Sequence, residues 1–216
     1  MVVETLDTCQ NRNMLIAMAN AILDHVSDLT EADSQIGDGD HGLGMSRGMK
    51  SALEQLQHSD ESTNVYDLYK TFGTALMMNM GGASGILFGS LFLAGSKGVH
   101  AESLSPRDLA QLFEAGLAAV MQRGKAAVGD KTMVDALFPA VQAMLEFSDS
   151  GFFTMLEHSA AAALIGAEST IPLIARTGRA KTLGERSCGH IDAGALSVSI
   201  IFHAMLDYLR EIEKNC

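Results

Sequence analysis

The chain has 216 residues and a formal net charge of −11, which argues against binding to a nucleic-acid backbone. No apolar run reaches the roughly 18 residues of a membrane span, and the first residues lack the basic and apolar segments of a signal peptide. Three widely spaced cysteines fit reduced thiols better than a disulfide framework. We therefore expect a cytoplasmic protein that forms a single domain over residues 1–216, with no direct nucleic-acid or membrane partner.

Apolar residues recur at three- and four-residue steps along most of the chain, a spacing that indicates amphipathic helices. The pattern predicts eight helices and no convincing strand. Their approximate ranges are 11–29, 43–57, 65–80, 86–93, 106–124, 133–147, 152–174 and 195–213. The connection 58–64 is polar, and Pro172 is expected to bend or end the seventh helix. The fold class is therefore all-α.

Polar, glycine-containing loops fall after the first, third, fifth and seventh of these helices. Alternate loops of an up-and-down helical array lie at the same end of the array. These four loops are therefore expected to gather into one composite site.

The first of these loops carries an acidic cluster, Asp33, Asp38 and Asp40, in which glycine separates the last two aspartates. Short carboxylates on a glycine-bent backbone can converge on a hard divalent cation, and an open oxygen-only site suits Mg2+. A calcium EF-hand is excluded because its twelfth position must supply a glutamate, and here that position is Met49 or Gly44. A solvated acidic turn remains the alternative interpretation.

The loop Gly81–Gly85 precedes an apolar helix. Free backbone N–H groups at such a helix start form a phosphate site, although a tightly packed helix break would use the same residues. The segment 124–132 nearly spells a P-loop, but Asp130 intrudes before Lys131 and the segment follows a helix rather than a strand. It is therefore not a P-loop, and we keep it as a candidate nucleotide contact.

The last loop, 176–194, has no clear periodicity, and such a segment inside a compact domain is often functional. Arg179 or Arg186 is expected to meet phosphate charge there. The alternative is structural, with Glu185 and Arg186 paired to each other within the loop.

Several segments together resemble the nucleotide-binding L subunit of dihydroxyacetone kinase. They occur in the order and at the spacing of that family and cover nearly the whole chain from about Leu15. The segments are 36–42 (IGDGDHG), 81–85 (GGASG), 123–125 (RGK), 129–133 (GDKTM), 178–180 (GRA), 183–187 (LGERS) and 189–190 (GH).

The resemblance implies an antiparallel up-and-down eight-helix barrel with the nucleotide at one end. It implies two Mg2+ ions held by Asp33, Asp38 and Asp40, and catalysis that depends on those aspartates and on the charge of Arg179. The implied contacts to ADP or ATP are His41, Gly42, Leu43, Gly44, Ala83, Ser84, Gly124, Met133, Arg179, Asp192, Ala193 and Gly194. Two positions depart from the family pattern, because Ala193 stands where proline is frequent and Gly44 where a polar residue is common.

The implied function is phosphoryl transfer to dihydroxyacetone held on a separate K subunit, with ADP recharged in place by a phosphohistidine-carrying M subunit at the expense of phosphoenolpyruvate. The alternatives are an ATP-dependent kinase in which nucleotide exchanges, a kinase for erythrulose or another short ketose, and a nucleotide-sensing partner of a transcription regulator. A homodimer is a further open alternative.

Overall fold

The structure is a computed structural model that describes residues 3–58, 64–96 and 100–215. Most of the predicted polar connection 58–64, and Cys216, lie outside the described residues. No helix formed by the described residues is long and apolar enough to cross a lipid bilayer.

Helices dominate the described ranges, which confirms the all-α class. The nine α-helices within these ranges are α1 (Thr8–Asp24), α2 (Val26–Ile36), α3 (His41–Gln57), α4 (Val65–Asn79), α5 (Gly82–Leu93), α6 (Pro106–Gly124), α7 (Met133–Phe147), α8 (Phe152–Ser169) and α9 (Ala193–Asn215). Two 3-10 segments, Ala94–Ser96 and Arg179–Ser187, and two short strands, β1 (Leu6–Asp7) and β2 (Ser103–Leu104), complete the elements.

Side-chain caps fix several helix starts. Ser105 and Asp108 form a reciprocal capping box with Pro106 in the first turn of α6. Thr132 and Asp135 form the same box at α7. Both starts agree with the prediction, because the capping residues and the first turn are adjacent in sequence.

The core lies between the helices and contains a continuous row of aromatic rings. Phe72 of α4 contacts Phe92 of α5, which contacts Phe113 of α6, which contacts Phe202 of α9, with ring centroids 4.8, 6.0 and 5.4 Å apart. All four rings are fully or almost fully buried. Edge-to-face contacts of this kind are favourable for aromatic rings, and they tie helices distant in sequence to one centre.

Helices adjacent in sequence pack against each other from α3 through α9, and α9 also packs against α1. Glycines permit the closest approaches. A Cβ added to Gly73 of α4 would lie 2.7 Å from the carbonyl oxygen of Gly89 in α5, so any larger residue would push these helices apart.

The predicted first helix, 11–29, is instead two helices with a break at His25. The ring Nδ1 of His25 bonds the carbonyl oxygen of Ala21 at 2.8 Å, and the backbone at His25 leaves the helical region. The prediction also ended this helix too early. Because α2 runs to Ile36, Asp33 lies on a helix and not in a loop.

Further elements differ from the prediction. Helix α8 ends at Ser169 rather than near Ile174, because the residue before a proline disfavours the helical region and the chain leaves the helix ahead of Pro172. The strands β1 and β2 pair antiparallel, Leu6 with Leu104 and Asp7 with Ser103. Two residues are too few to give a periodic signal, so the prediction of no strand was wrong here.

Candidate nucleotide and metal site

The three predicted metal ligands converge. Each of Asp33, Asp38 and Asp40 places a carboxylate oxygen within 4.8 Å of the other two. Asp33 comes from the last turn of α2, while Asp38 and Asp40 follow on the turn that leads into α3. Glycine is required at Gly39, whose φ is +74°. The donor set is all carboxylate and partly open to solvent, so these residues fit a Mg2+ ion that keeps waters or phosphate oxygens.

Arg179 lies at this cluster. Its guanidinium pairs with Asp38 and lies 3.4 Å from a carboxylate oxygen of Asp40. The arginine begins the 3-10 segment Arg179–Ser187, whose packing against α2 brings the last loop over the aspartates. Of the two candidate arginines, the geometry therefore favours Arg179 over Arg186 as the cation of the site.

His41 is the first residue of α3 and is buried. Its backbone N–H donates to Asp33 at 3.2 Å, and its ring lies against Phe88. Ring atom Nε2 is 2.9 Å from the hydroxyl oxygen of Ser197, and Nδ1 is 3.4 Å from that of Ser84. Burial lowers the pKa of His41, and the nearby Asp33 carboxylate opposes that shift. His41 therefore joins α3, α5 and α9 beside the aspartate cluster.

The glycine turn forms the start of α5 as predicted. Gly81 and Gly82 have φ of +80° and +61°, and a Cβ on Gly82 would meet no atom within 4 Å. Backbone conformation rather than crowding thus accounts for the glycine at 82. No side chain caps α5, and Ala83 in its first turn is exposed. The first-turn N–H groups are accordingly available to an anion at the positive end of the helix dipole.

The lysine of the P-loop-like segment, Lys131, has a structural role and not the phosphate-binding role of a P-loop lysine. Lys131 is only 2% exposed, and its Nζ donates to the carbonyl oxygens of Thr170, at 2.5 Å, and His190. Burial lowers the pKa of Lys131. The lysine therefore ties this loop to the residues before α9, and a phosphate contact from this segment would come from other atoms.

Asp192 precedes α9. Its carboxylate accepts a hydrogen bond from the backbone N–H of Ala195 at 2.8 Å, and its own N–H donates to the hydroxyl of Thr170 at 3.0 Å. Burial raises the pKa of Asp192 to about 7. A Cβ on Gly194 would lie 3.2 Å from the Cβ of Met133, so the starts of α7 and α9 meet.

The two departures from the family pattern have local explanations. A Cβ on Gly44 would lie 3.2 Å from the carbonyl oxygen of Met80, so a side chain there would crowd the end of α4. Ala193 is the first residue of α9 and is 5% exposed, a position at which a helix also accepts proline.

The remaining predicted contacts also lie at helix ends. Gly42 packs so closely against α2 that an added Cβ would collide with the hydroxyl of Thr30. At Gly124, the end of α6, an added Cβ would lie 3.4 Å from the side chain of Leu87 in α5. Leu43 in the first turn of α3 is 55% exposed. The roles of these three residues in nucleotide binding stay predictions.

Sequence reasoning missed two residues of this region. Ser197 lies on α9 and contacts His41, and Lys131 anchors its loop to the chain before α9. Both roles depend on contacts with residues far away in the chain, so no local pattern could have revealed them.

Comparison with known proteins identifies a family. The family model of the DAK2 domain matches residues 35–207. The chain is 41% identical over 178 residues to the ADP-binding subunit DhaL of PEP-dependent dihydroxyacetone kinase 1 from Listeria innocua, a match that covers 82% of this chain and 85% of the relative. It is 40% identical over 180 residues to the corresponding subunit from Escherichia coli, covering 82% of this chain and 85% of that relative.

Longer kinases also match. The chain is 34% identical over 189 residues to L-erythrulose 1-kinase of Mycolicibacterium smegmatis, covering 86% of this chain but only 33% of that protein. Among solved structures, the dihydroxyacetone kinase of C. freundii in complex with AMP-PNP and Mg2+ aligns with a TM-score of 0.70 at 26% identity, over 91% of this chain and 33% of that chain.

Proposed function

Because the chain belongs to the DAK2-domain family of dihydroxyacetone kinase ADP-binding subunits, as its sequence predicts, we propose that it is the subunit that presents Mg-bound nucleotide to dihydroxyacetone held on a separate K subunit. One observation carries this proposal. Three carboxylates and an arginine converge, and the uncapped, glycine-led start of α5 is linked to them through the contacts of Ser84 with His41 and of His41 with Asp33. Those are the groups that phosphoryl transfer requires.

Asp33, Asp38 and Asp40 would hold the metal, and we take the number of ions as two. Mg2+, when bound, supplies charge neutralisation and alignment for the transferring phosphoryl group. The two ions would balance the acidic cluster and part of the polyphosphate charge. Since the three aspartates already share one end of α2 and one turn, little rearrangement of backbone is needed for them to act as ligands.

The backbone N–H groups at the start of α5 donate hydrogen bonds to phosphate oxygens in this proposal, and Ala83 and Ser84 are the residues concerned. Arg179 neutralises negative charge that develops on the transferred group. In this structure the arginine pairs with Asp38 and Asp40, which supports a role beside phosphate oxygens bound to the same metal site.

The acceptor is expected to come from another protein surface. Two clefts of the described surface, one beside Ser105 and Asp149 and the other beside His25 and His203, contain none of the residues predicted for the site. In the L-erythrulose 1-kinase, this chain matches only 33% of the length, which leaves room there for a separate acceptor-binding part. A K subunit would supply that part here.

Exposed apolar side chains support such a contact. Each of the large hydrophobic side chains found exposed in the described ranges lies in a loop of the site end or within about two helical turns of it. We call this set the apolar collar: Leu43, Met78, Ile86, Val128, Phe138, Leu164, Ile165, Ile171 and Ile174. Apolar side chains concentrated around a polar site are typical of a protein–protein interface.

We infer that the helices form an antiparallel eight-helix barrel in which α2 continues α1. The contacts of each helix with the next, and of α9 with α1, support this arrangement. The start of α5 lies against the end of α4, since a Cβ on Gly85 would be 3.3 Å from the carbonyl oxygen of Leu76. Alternate helix ends then face the same side, as the composite site requires.

We propose the phosphoenolpyruvate-dependent route, in which a phosphohistidine M subunit recharges bound ADP. The names of the relatives that match over most of their length support the first part of this proposal, since they describe ADP-binding subunits of PEP-dependent kinases. A ketose other than dihydroxyacetone is the second candidate. It is favoured by the match to L-erythrulose 1-kinase and, at 33% identity over 201 residues, to the L-erythrulose kinase of Pectobacterium atrosepticum.

A reconstituted transfer assay tests the proposal. The purified chain is combined with K and M subunits from the same source, and consumption of dihydroxyacetone and L-erythrulose is measured with either phosphoenolpyruvate or ATP as the donor. We expect dihydroxyacetone phosphorylation with phosphoenolpyruvate, lost in Asp38→Asn. Faster turnover of L-erythrulose would favour the second candidate. No phosphorylation of any ketose with either donor would refute the kinase function.

A further inference from the structure

The hydrogen bonds around His41 determine which of its ring nitrogens carries the proton. The hydroxyl of Ser197 donates to the carbonyl oxygen of Ala193 at 2.9 Å. Its single proton is thereby used, so the same oxygen must accept from the ring at 2.9 Å. Nε2 of His41 is therefore the protonated nitrogen, and Nδ1 carries the lone pair.

This tautomer sets the direction of the Ser84 hydroxyl. Nδ1 is 3.4 Å from the hydroxyl oxygen of Ser84 and has no proton to offer, so Ser84 donates to it. The oxygen of Ser84 is then left with lone pairs for other partners. Ser84 lies in the first turn of α5, where the backbone N–H groups already supply donors. Its hydroxyl thus adds an acceptor at that helix start, and such an acceptor suits a cation or a metal-bound water.

We propose that Ser197 is a positioning residue that acts through His41 to hold Ser84 as an acceptor for the metal side of bound Mg-nucleotide. This inference rests on the proposed nucleotide-binding function. Ser197 is fully buried on α9, and its hydroxyl is hydrogen-bonded to the ring of His41 and to the backbone of Ala193. Its hydroxyl therefore influences binding by fixing the orientation of the ring.

The first test is the tautomer itself, read from the long-range 1H–15N spectrum of the histidine rings at pH 8. We expect the Nε2–H form of His41 in the wild type and in Ser197→Thr, which keeps the hydroxyl. In Ser197→Ala the Nε2–H preference should be lost. An Nδ1–H ring in the wild type, or an unchanged ring signal in Ser197→Ala, would overturn the proposal.

The second test compares binding of ADP with Mg2+ and in EDTA, by calorimetry. Ser197→Ala should weaken Mg-ADP by about fivefold, the worth of one neutral hydrogen bond, and leave ADP in EDTA unchanged, with Ser197→Thr restoring affinity. Ser199→Ala is the matched control, because Ser199 is another buried serine of α9. If Ser197→Ala lost the same affinity for ADP with Mg2+ and in EDTA, or lost no affinity at all, the positioning role would be refuted. If the wild type bound no Mg-ADP, the proposed function would fail, whereas the ring spectrum would still report on the tautomer.

Discussion

Asp38→Asn should be more stable than the wild type without Mg2+, and less stable than the wild type in excess Mg2+. The carboxylate oxygens of the cluster lie within 4.8 Å of one another. Two unit charges at that separation repel by about 0.9 kcal/mol in water. The aqueous value is appropriate because the side chains of Asp38 and Asp40 are 47% and 66% exposed.

The variant removes two of the three repulsive pairs, worth about 2 kcal/mol together. It also removes the exposed ion pair of Asp38 with Arg179, worth up to about 1 kcal/mol. Without metal, Asp38→Asn should therefore be about 1 kcal/mol more stable than the wild type. For a chain of this size, that difference raises Tm by roughly 2–4 °C.

Each bound Mg2+ should stabilise the wild type by about 2.7 kcal/mol when the Mg2+ concentration is 100 times the Kd of its site, and Mg2+ should barely stabilise Asp38→Asn. Thermal unfolding followed by circular dichroism, in EDTA and in excess Mg2+, measures both effects. Glu157→Gln is the control, since it removes one exposed negative charge on α8 outside the cluster. If Asp38→Asn were less stable than the wild type in EDTA, or gained as much from Mg2+, the repulsion argument and the metal assignment would be wrong.

Three further outcomes are expected. Lys131→Met leaves two carbonyl oxygens without their donor and should cost about 2–3 kcal/mol in denaturant unfolding, while the exposed Lys181→Met should change little. The folded protein keeps Asp192 protonated to about pH 7, whereas the unfolded chain ionises near pH 4. The free energy of unfolding of the wild type should therefore fall as the pH rises from about 4 to about 7, and Asp192→Asn should lack that part of the decline. Parallel pH profiles of the two proteins would contradict the burial of the carboxyl. Ile165→Lys, in the apolar collar, should abolish turnover with the K subunit and leave Mg-ADP binding intact. The control Glu157→Lys should change neither. Normal turnover of Ile165→Lys would exclude that position from the interface.

Local sequence information was enough for the parts of the site that depend on neighbours in the chain. The spacing of Asp33, Asp38 and Asp40 predicted their convergence, although Asp33 lies at the end of α2 and only Asp38 and Asp40 lie on the glycine-containing turn. The glycines at 81 and 82 predicted an uncapped helix start. These features need only short-range geometry. The capping boxes at Ser105 and Thr132 were predictable for the same reason.

Features that depend on distant residues were not predictable in this way. The partner of His41 is Ser197, 156 positions away, and only the fold reveals that α3 and α9 start side by side. The role of Lys131 was not predictable either, because the carbonyl oxygens that it binds belong to Thr170 and His190, which lie far along the chain after α8. The break at His25 was missed because the apolar spacing continues through it.

The most direct test of the central claim is the content of the protein as purified. After denaturation, released nucleotide is quantified by chromatography and Mg2+ by elemental analysis. The account predicts near-stoichiometric ADP with about two Mg2+ per chain, as expected for a nucleotide that stays bound during phosphoryl transfer. A chain that carries neither, and that binds neither when Mg-ADP or Mg-ATP is added, would contradict it.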